Sequence, residues 1–414
     1  MPSAVIILLI ILIAIALRQV VRVIIPIWAI MATGAIAVLL CQQITPSRAF
    51  TAVEPDVMLY LFGVFFISQA AEESGYLAFL TDQIFYYANN GKQTLMLIVF
   101  ILGLSSAVLM NDTIAIIGTP IILQLCQSHK NLIKPLLLAL AFSITIGSTM
   151  SPIGNPQNLL IAIKGEMASP FFEFFKHLAV PTLLNLVIVY FFILFLYRNE
   201  LKEPIKKPVL PLINDRSNLT LVKMSLLMML VLTVIKILTD FLHYSEFQLN
   251  FSYIALLSSV PIWFSKHRWN YIKRLDWGTL VFFASTFILM QSVWDSGFFQ
   301  TGMSDSHIDV SHIVVIFIMS IALSQLISNV PLVTIYLPLL MSHNHSSITL
   351  LSLAAGSTIA GNLSILGAAS NIIIIQNSEK RGIRGFGFLE FILVGAPLLT
   401  LLNLLVYISF LQKI

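Results

Sequence analysis

Residues 151–158 read Ser-Pro-Ile-Gly-Asn-Pro-Gln-Asn and lie inside an otherwise apolar stretch that runs from 135 to 163. Proline and glycine interrupt helices, so this stretch predicts two half-helices joined by non-helical backbone. Three more apolar stretches are interrupted in their middles: 95–125 at Asn111-Asp112-Thr113, 311–341 at Ser328-Asn329-Val330-Pro331, and 347–376 between Gly361 and Asn371. Non-helical backbone at membrane depth is tolerated only where protein or a water-filled cavity covers it. Four such breaks in one chain therefore indicate a binding site within a membrane protein.

The composition supports a membrane location for these stretches. Of the 414 residues, 58% are hydrophobic and 10% are charged, whereas soluble domains are about 45–50% apolar and about 25% charged. No segment is long and polar enough to fold as a separate soluble domain. No basic face exists apart from short loops, which excludes a nucleic-acid partner. The sequence therefore predicts an all-α polytopic protein of the lipid bilayer.

The unbroken apolar runs predict eight spans, since a membrane crossing takes roughly 20 residues. These spans are 3–17, 22–41, 56–72, 178–197, 219–239, 250–264, 277–294 and 390–411. We interpret 95–125 and 311–341 as re-entrant hairpins, and 135–163 and 347–376 as broken helices that cross fully. The prediction is thus about ten spans plus two hairpins.

The loop charges orient these spans. With both termini outside, the inner loops hold 17 of the 23 Lys and Arg residues and the outer segments hold 4, while Lys223 and Lys236 lie within a span. This bias follows the positive-inside rule. Two full spans in place of each hairpin would give the same loop charges, so this alternative stays open. Cys41 and Cys126 then lie on opposite sides of the membrane, which excludes a disulfide between them.

The two halves of the chain repeat each other. Gln69 with Glu73-Ser74-Gly75-Tyr76 matches Gln291 with Asp295-Ser296-Gly297-Phe298, and Asn111 with Pro120 matches Asn329 with Pro338 at an offset of 218. The Gly154 and Asn158 pair matches Gly367 and Asn371 at an offset of 213. Each half holds five crossings and one hairpin, so the second copy is inserted upside down. Inverted repeats with paired broken helices are typical of secondary transporters whose site lies near the bilayer midplane.

These boundaries give a domain organisation in three parts. Residues 1–200 form the first inverted repeat, with spans 1–5, the hairpin 95–125 and the broken helix 135–163. Residues 201–218 form a cytoplasmic linker, and residues 219–414 form the second repeat, with spans 6–10, the hairpin 311–341 and the broken helix 347–376.

At the four breaks the sequence resembles the ion transporter superfamily, which includes arsenite permeases, citrate-type carriers and divalent-anion:sodium symporters. The resemblance rests on Met110-Asn111-Asp112-Thr113 through Thr119-Pro120, residues 151–158, Ser328 to Pro331, and Gly361-Asn362-Leu363 through Gly367 to Asn371. These motifs cover nearly the whole chain in the expected order. The resemblance implies an anion permease with a mobile transport domain, a scaffold built from the leading spans of each half, and a homodimer.

The resemblance also implies two half-sites. Half-helix N-termini suit an oxyanion, whereas unwound carbonyls, amides and hydroxyls suit Na⁺. The candidate substrate-binding residues are Asn111, Thr113, Asn158, Asn329, Thr334 and Asn371. The candidate cation-binding or coupling residues are Asp112, Ser148, Gly154, Asn155, Ser328, Asn362 and Gly367.

The hairpin tips depart from the sodium-coupled dicarboxylate carriers, which have Ser-Asn-Thr at both. Here the first tip reads Asn-Asp-Thr after Met110, and the second reads Ser-Asn-Val. The first tip thereby gains Asp112, a carboxyl group at membrane depth. Burial favours the neutral form of such a group, so Asp112 is a candidate proton carrier. A helix cap is the alternative role for this residue.

We therefore expect a cation-coupled secondary transporter for a small anionic or neutral oxyacid, with H⁺ favoured over Na⁺. No Arg or Lys falls in the four breaks, so a multivalent anion would be held by dipoles, hydroxyls and co-ions alone. A Na⁺-coupled di- or tricarboxylate symporter is the alternative, and an anion channel is less favoured. The motifs of intramembrane proteases are absent from the sequence, so we expect no enzyme. We expect no cofactor other than a bound Na⁺, and a location in a bacterial inner membrane.

Overall fold

The computed structural model describes residues 2–21, 25–76, 83, 85, 88–126, 129–204, 216–241, 249–298, 301, 309–327, 329–342, 346–379, 381–383, 385–393 and 396–413. Within these ranges the protein is helical, and its one β-type pairing is an isolated bridge between Asn90 and Pro204. The predicted all-α class is confirmed. Most of the linker 201–218, as well as Ser328, lies outside the described residues.

The helices follow the predicted runs. In the first half they are α1 (Ser3–Val21), α2 (Ile27–Leu40), α3 (Pro46–Ala52), α4 (Pro55–Glu73), α5 (Gly91–Leu109), α6 (Asn111–Leu125), α7 (Ile133–Ser148), α8 (Pro156–Lys164) and α9 (Pro170–Leu196). In the second half they are α10 (Arg216–Phe241), α11 (Phe251–Trp263), α12 (Arg268–Arg274), α13 (Trp277–Asp295), α14 (Ile313–Ile327), α15 (Asn329–Ser342), α16 (Ser347–Ala360), α17 (Ala369–Glu379), α18 (Phe388–Leu393) and α19 (Ala396–Leu411).

Several of these helices match the thickness of a bilayer. Among the described residues, five helices are long and apolar enough to cross a membrane. The helices α3 and α4, bent by 54° relative to each other, would together form a sixth span. Eight more apolar helices are 10–17 residues long, as expected where spans are broken or folded back. Two predicted helix starts were wrong: α9 begins at Pro170 and not at 178, and α2 begins at Ile27 and not at 22. The earlier start of α9 follows from its proline, which fits the first turn of a helix.

One face of α9 is strongly apolar and points away from the protein. Phe175, Phe191 and Phe195 on this helix are 60–76% exposed. Exposed aromatic side chains in such numbers would be costly in water but are favoured against lipid. The exposure pattern therefore fits a helix at the lipid boundary.

The helices pack in two groups. The first group contains α1–α4 from the first half and α10–α13 from the second, with α4 against α11 and α2 against α13. The second group contains α5–α9 and α14–α19, with α5 and α6 against α7, and α14 and α15 against α16. The groups meet where α4 packs against α6 and α8, and where α13 packs against α15. The leading spans of the two halves thus lie together, apart from the hairpins and broken helices.

The ion pairs lie at the helix ends. Lys164, the last residue of α8, pairs with Glu54 before α4 at 2.7 Å, and Arg48 pairs with Asp295 at 3.2 Å. Lys134 pairs with Glu390 at 2.7 Å. In each pair the predicted topology assigns both partners to the same side of the membrane. The inverted-repeat relation between the halves stays a prediction, although the pairing of helices is compatible with it.

Candidate functional site

The first hairpin turns at a single residue, Met110, between α5 and α6. Its φ of 65° and ψ of 146° lie in a region that favours glycine, and its side chain is fully buried. Backbone strain of this kind costs about 1–3 kcal/mol and clusters at functional sites. The turn lets the Asn111 main-chain N–H donate to the carbonyl oxygen of Gly154 at 2.9 Å. The hairpin tip is thereby fixed on the break of the first broken helix.

That break, between α7 and α8, is held by two asparagines. Asn155 precedes α8, and its side-chain oxygen accepts a hydrogen bond from the main-chain N–H of Asn158 at 2.8 Å, as expected for an N-cap. The Asn158 amide donates to the carbonyl oxygens of Ser148, Thr149 and Ser151 at 3.0–3.3 Å. These carbonyls lie at the C-terminal end of α7 and have no helical partner. Asn158 therefore holds the break in shape.

Gly154 lies against the end of α7. A Cβ atom at this position would be 2.1 Å from the Ser148 carbonyl oxygen, whereas real Cβ atoms essentially never come within 3.0 Å of another heavy atom. The matching residue, Gly367, is less crowded, because its Cβ would be 2.9 Å from the Gly361 Cα and 3.0 Å from the Ala360 carbonyl oxygen. The first break is thus the tighter of the two.

We expect Gly154→Ala to destabilise the protein by about 3 kcal/mol or more, because the added methyl overlaps main-chain atoms that cannot move independently. Gly367→Ala should cost clearly less. The measurement is the melting temperature of each purified variant in detergent. Equal losses for the two variants would contradict the crowding seen at Gly154.

The second hairpin tip, between α14 and α15, makes a corresponding contact. The Ser324 hydroxyl donates to the Asn329 side-chain oxygen. The Asn329 amide nitrogen lies 3.2 Å from the position of a Cβ on Gly361, the residue at which the second broken helix opens. Gln325 donates to the Ala360 carbonyl oxygen at 2.8 Å and accepts from the Ser364 hydroxyl at 2.6 Å. This tip is therefore also fixed on the break of its own half.

The second break keeps several polar atoms without a protein partner. The Asn371 amide donates to the Gly361 carbonyl oxygen at 3.0 Å, as Asn158 does in the first half. Among the described residues its own oxygen has no partner, nor does the Ser370 hydroxyl, nor either polar atom of the Asn362 side chain. All three residues are fully buried. Because buried polar atoms are nearly always hydrogen-bonded, this group is a candidate contact for a ligand.

Thr358 joins the two breaks, and the sequence analysis did not identify it. Its hydroxyl accepts from the Asn155 amide at 3.2 Å and the Gln157 amide at 3.5 Å, and it lies 3.2 Å from the Asn158 oxygen, to which it donates. The one available signal was Thr145, which matches Thr358 at the offset of 213. The Thr145 hydroxyl, however, donates to the Ala141 carbonyl oxygen of its own helix at 3.0 Å.

A further link connects the first hairpin to the second half. Pro120 within α6 has no N–H, so the Ile116 carbonyl oxygen loses its helical partner. The Asn377 amide from α17 donates to that oxygen at 3.0 Å. The sequence indicated the proline but not the asparagine that compensates for it, because the two are far apart in the chain.

A small pocket lies beside the first tip, between the two helix groups. Its walls come from α4, from α10 and from Leu109, Thr113 and Ile117 of the hairpin. The lining is apolar apart from tyrosine and hydroxyl groups, and the Ser68 and Thr113 hydroxyls have no hydrogen-bond partner among the described residues.

The structure brings most of the candidate residues together. Contacts run from Asn111 to Gly154, from Asn155 and Asn158 to Thr358, and from Asn329 to Gly361. Asp112 and Thr113 follow Asn111 in the first turn of α6 and are buried, whereas Thr334 lies further along α15, where its hydroxyl donates to the Val330 carbonyl oxygen. The helices α6, α8, α15 and α17 all begin at this centre, so four positively polarised N-termini lie there.

Comparisons with known proteins agree with this architecture. The citrate transporter (CitMHS) family model matches residues 6–350. Among relatives, a Dictyostelium discoideum protein named as transporter arsB is 21% identical over 88% of this chain and 83% of its own. The silicon efflux transporter LSI3 of Oryza sativa subsp. japonica is 23% identical over 88% of both chains. The crystal structure of the Alcanivorax borkumensis YdaH transporter has a TM-score of 0.54 at 14% identity over 87% of this chain and 85% of that one, which supports the fold alone.

The predicted resemblance is therefore confirmed. The family model covers most of the chain, including both hairpins and the first broken helix, and the relatives are named as transporters. The chain is a membrane transporter and belongs to the citrate transporter family.

Proposed function

We propose that the protein is a secondary active transporter for a small oxyacid, anionic or neutral, which binds where the two hairpin tips meet the two breaks. The observation that carries this proposal is the chain of contacts that joins all four interruptions through Gly154, Thr358 and Gly361. Half-helix N-termini would stabilise the oxygens of the substrate. The unpartnered amides of the second break would donate hydrogen bonds to the substrate or coordinate it through their oxygens.

The substrate class follows from what surrounds this centre. The breaks contribute amides, hydroxyls, main-chain groups and the Asp112 carboxyl group, but no Lys or Arg. The neighbouring pocket is mostly apolar. A multivalent anion loses much hydration free energy on entering such a place without paired cations. A weakly charged or neutral oxyacid loses less. The rice relative is named as a silicon efflux transporter, which fits a weakly charged or neutral oxyacid.

The test is uptake by proteoliposomes that contain the purified protein. Arsenite, silicate, sulfate, succinate and citrate are supplied separately, with Na⁺ and pH gradients varied independently. Saturable uptake and counterflow of arsenite or silicate would support the proposal. Accumulation of citrate or succinate driven by Na⁺ would favour the alternative, a Na⁺-coupled di- or tricarboxylate symporter, which the family description supports. Unitary conductance without counterflow would indicate an anion channel.

We also propose H⁺ as the coupling ion, with Asp112 as its carrier. Asp112 is the second residue of α6, only 4% of it is exposed, and its main-chain N–H donates to the Asn111 side-chain oxygen at 2.9 Å. No described basic residue forms an ion pair with it. A charge at the bilayer midplane costs at least about 2.5–3.5 kcal/mol. The carboxylate must therefore be neutralised before the site crosses the membrane.

Asp112→Asn should keep substrate exchange but abolish accumulation driven by a pH gradient, since the amide resembles the protonated carboxyl group. If Na⁺ neutralises Asp112 instead, the same change should weaken the Na⁺ dependence. The measurement is uptake against pH and against Na⁺ for both proteins. Glu166→Gln, which alters an exposed loop carboxylate, serves as the control. Unchanged profiles for Asp112→Asn would mean that the residue only caps α6.

We propose an elevator-like movement of the second helix group against the first. The support is the separation of the two groups and the ion pair between Lys164, the last residue of α8 in the second group, and Glu54, before α4 of the first. Such surface pairs contribute about 1 kcal/mol or less, so they could break and reform during a transport cycle. A homodimer through the first group and a bacterial inner membrane as the location remain part of this proposal.

The proposed orientation places the loop after α9 in the cytoplasm and Cys41 outside. We expect a membrane-impermeant maleimide to label the exposed Cys41 in intact cells. Asn199→Cys, introduced at an exposed position in a Cys41→Ser background, should react only after permeabilisation. Labelling of Asn199→Cys in intact cells would reverse the orientation.

A further inference from the structure

Two transmembrane helices carry matching polar residues away from the hairpin tips. Thr182 and Asn185 lie on α9, and Thr400 and Asn403 lie on α19. Thr400 follows Thr182, and Asn403 follows Asn185, by 218 residues. The same offset relates Asn329 to Asn111. All four are at most 2% exposed. We call these four residues, together with Tyr407 on α19, the Thr–Asn cluster. It lies at the packing of α9 against α19.

The cluster satisfies only part of its own hydrogen-bonding capacity. The Asn185 amide donates to the Asn403 carbonyl oxygen at 3.2 Å, and the Thr182 and Tyr407 hydroxyls lie 2.7 Å apart. The Asn185 side-chain oxygen, the Thr400 hydroxyl and both polar atoms of the Asn403 side chain have no hydrogen-bond partner in the part of the chain that the structure describes. An unpaired buried polar group costs about 1–3 kcal/mol of stability. The bilayer core holds no water that could form the missing hydrogen bonds. A ligand that satisfies several of these atoms at once would therefore stabilise the fold.

The available atoms favour a cation. The unpartnered atoms are mainly oxygens, two from amides and one from a hydroxyl, and oxygens are the ligands of hard cations. None of the five side chains is charged, which disfavours a divalent ion, since Ca²⁺ and Mg²⁺ usually take carboxylates.

The surroundings of the Thr–Asn cluster also favour a cation. Tyr407 lies close to Thr149, the first residue after α7. The C-terminal end of a helix carries a partial negative charge, and such half-helix ends coordinate Na⁺ in other transporters.

We infer that the Thr–Asn cluster binds a monovalent cation, Na⁺, between α9 and α19. This site is separate from the hairpin tips, and it does not depend on which substrate the protein carries. The ion would fix the two helices that follow the broken helices in each half, and through Tyr407 and Thr149 it would stabilise the first break.

The experiment measures the melting temperature of the purified full-length protein in detergent, with NaCl exchanged for choline chloride at constant total concentration and without substrate. We expect Na⁺ to raise the wild-type melting temperature saturably. Asn185→Leu and Asn403→Leu, which keep the side-chain volume, should abolish the increase. Asn111→Ala, at the first hairpin tip, is the matched control and should retain it.

A further variant tests the inference even if the leucine variants misfold. Asn403→Asp adds a carboxylate to the cluster and should lower the Na⁺ concentration for half-maximal stabilisation by about tenfold, which corresponds to about 1.4 kcal/mol. Equal melting of the wild type in Na⁺ and choline would overturn the inference, because water would then satisfy the cluster. Loss of the increase in Asn111→Ala, or an unchanged midpoint in Asn403→Asp, would overturn it as well, because the ion would then bind elsewhere.

Discussion

Replacing Asn111 or Asn329 by alanine is expected to lower substrate uptake by about 10- to 100-fold while leaving the protein folded. Each residue begins the second helix of its hairpin and meets the break of its own half, Asn111 at Gly154 and Asn329 at Gly361. A hydrogen bond to a charged ligand is worth about 1.5–3 kcal/mol, which gives this range. Initial uptake rates and melting temperatures of the same preparations provide the measurement.

Ser324→Ala is a control for this experiment within the second hairpin. It removes the hydroxyl that donates to the Asn329 oxygen but leaves the Asn329 amide in place. Its uptake should therefore fall much less than that of Asn329→Ala. Wild-type rates in both asparagine variants would show that the hairpin tips do not contact the substrate or its coupling ion.

Thr358→Val should impair both stability and transport. Valine has nearly the same shape as threonine, so the change removes one hydroxyl and little else. The Asn158 side-chain oxygen then loses its donor, and the Asn155 and Gln157 amides lose an acceptor, all of them buried. We expect a loss of about 1–3 kcal/mol in the free energy of unfolding and at least a tenfold fall in uptake, because the two breaks are no longer joined.

Thr145→Val is the matched control for Thr358→Val. Thr145 is equally buried and ends the corresponding helix, but its hydroxyl donates only to the carbonyl of Ala141, which is already part of the helical ladder. Its replacement should have little effect on either measurement. A similar response of the two valine variants would contradict the proposed junction at Thr358.

Much of the local structure could be predicted from the sequence. The four breaks lie where the prolines, glycines and asparagines indicated, as Asn155 before Pro156 illustrates. Proline and glycine act on their own helix, and an asparagine caps the helix that it precedes, so these effects are readable over a few residues. The apolar runs predicted the helices for the same reason.

The roles of individual site residues were less accessible. Asn158 and Asn371 were candidate substrate ligands, and in the structure their amides donate to the carbonyls of their own breaks. Asn362, which has no capping function, keeps both of its polar atoms without a partner among the described residues. Asparagines of the same site thus differ in what remains available to a ligand, and only the contacts reveal it. Their roles in binding stay predictions.

The sequence by itself determined the helical class, the membrane location, the positions of the four breaks and the family. All of these depend on composition, on local backbone preferences or on motifs. The tertiary structure alone decided which residues of one half contact the other: Thr358 with Asn155 and Asn158, Asn377 with Ile116, and α9 with α19. Thr145 and Thr358 have similar neighbours in sequence, yet only Thr358 faces the break of the other half. Such contacts join residues about 200 or more apart, and they depend on how the two helix groups pack, which no local pattern specifies.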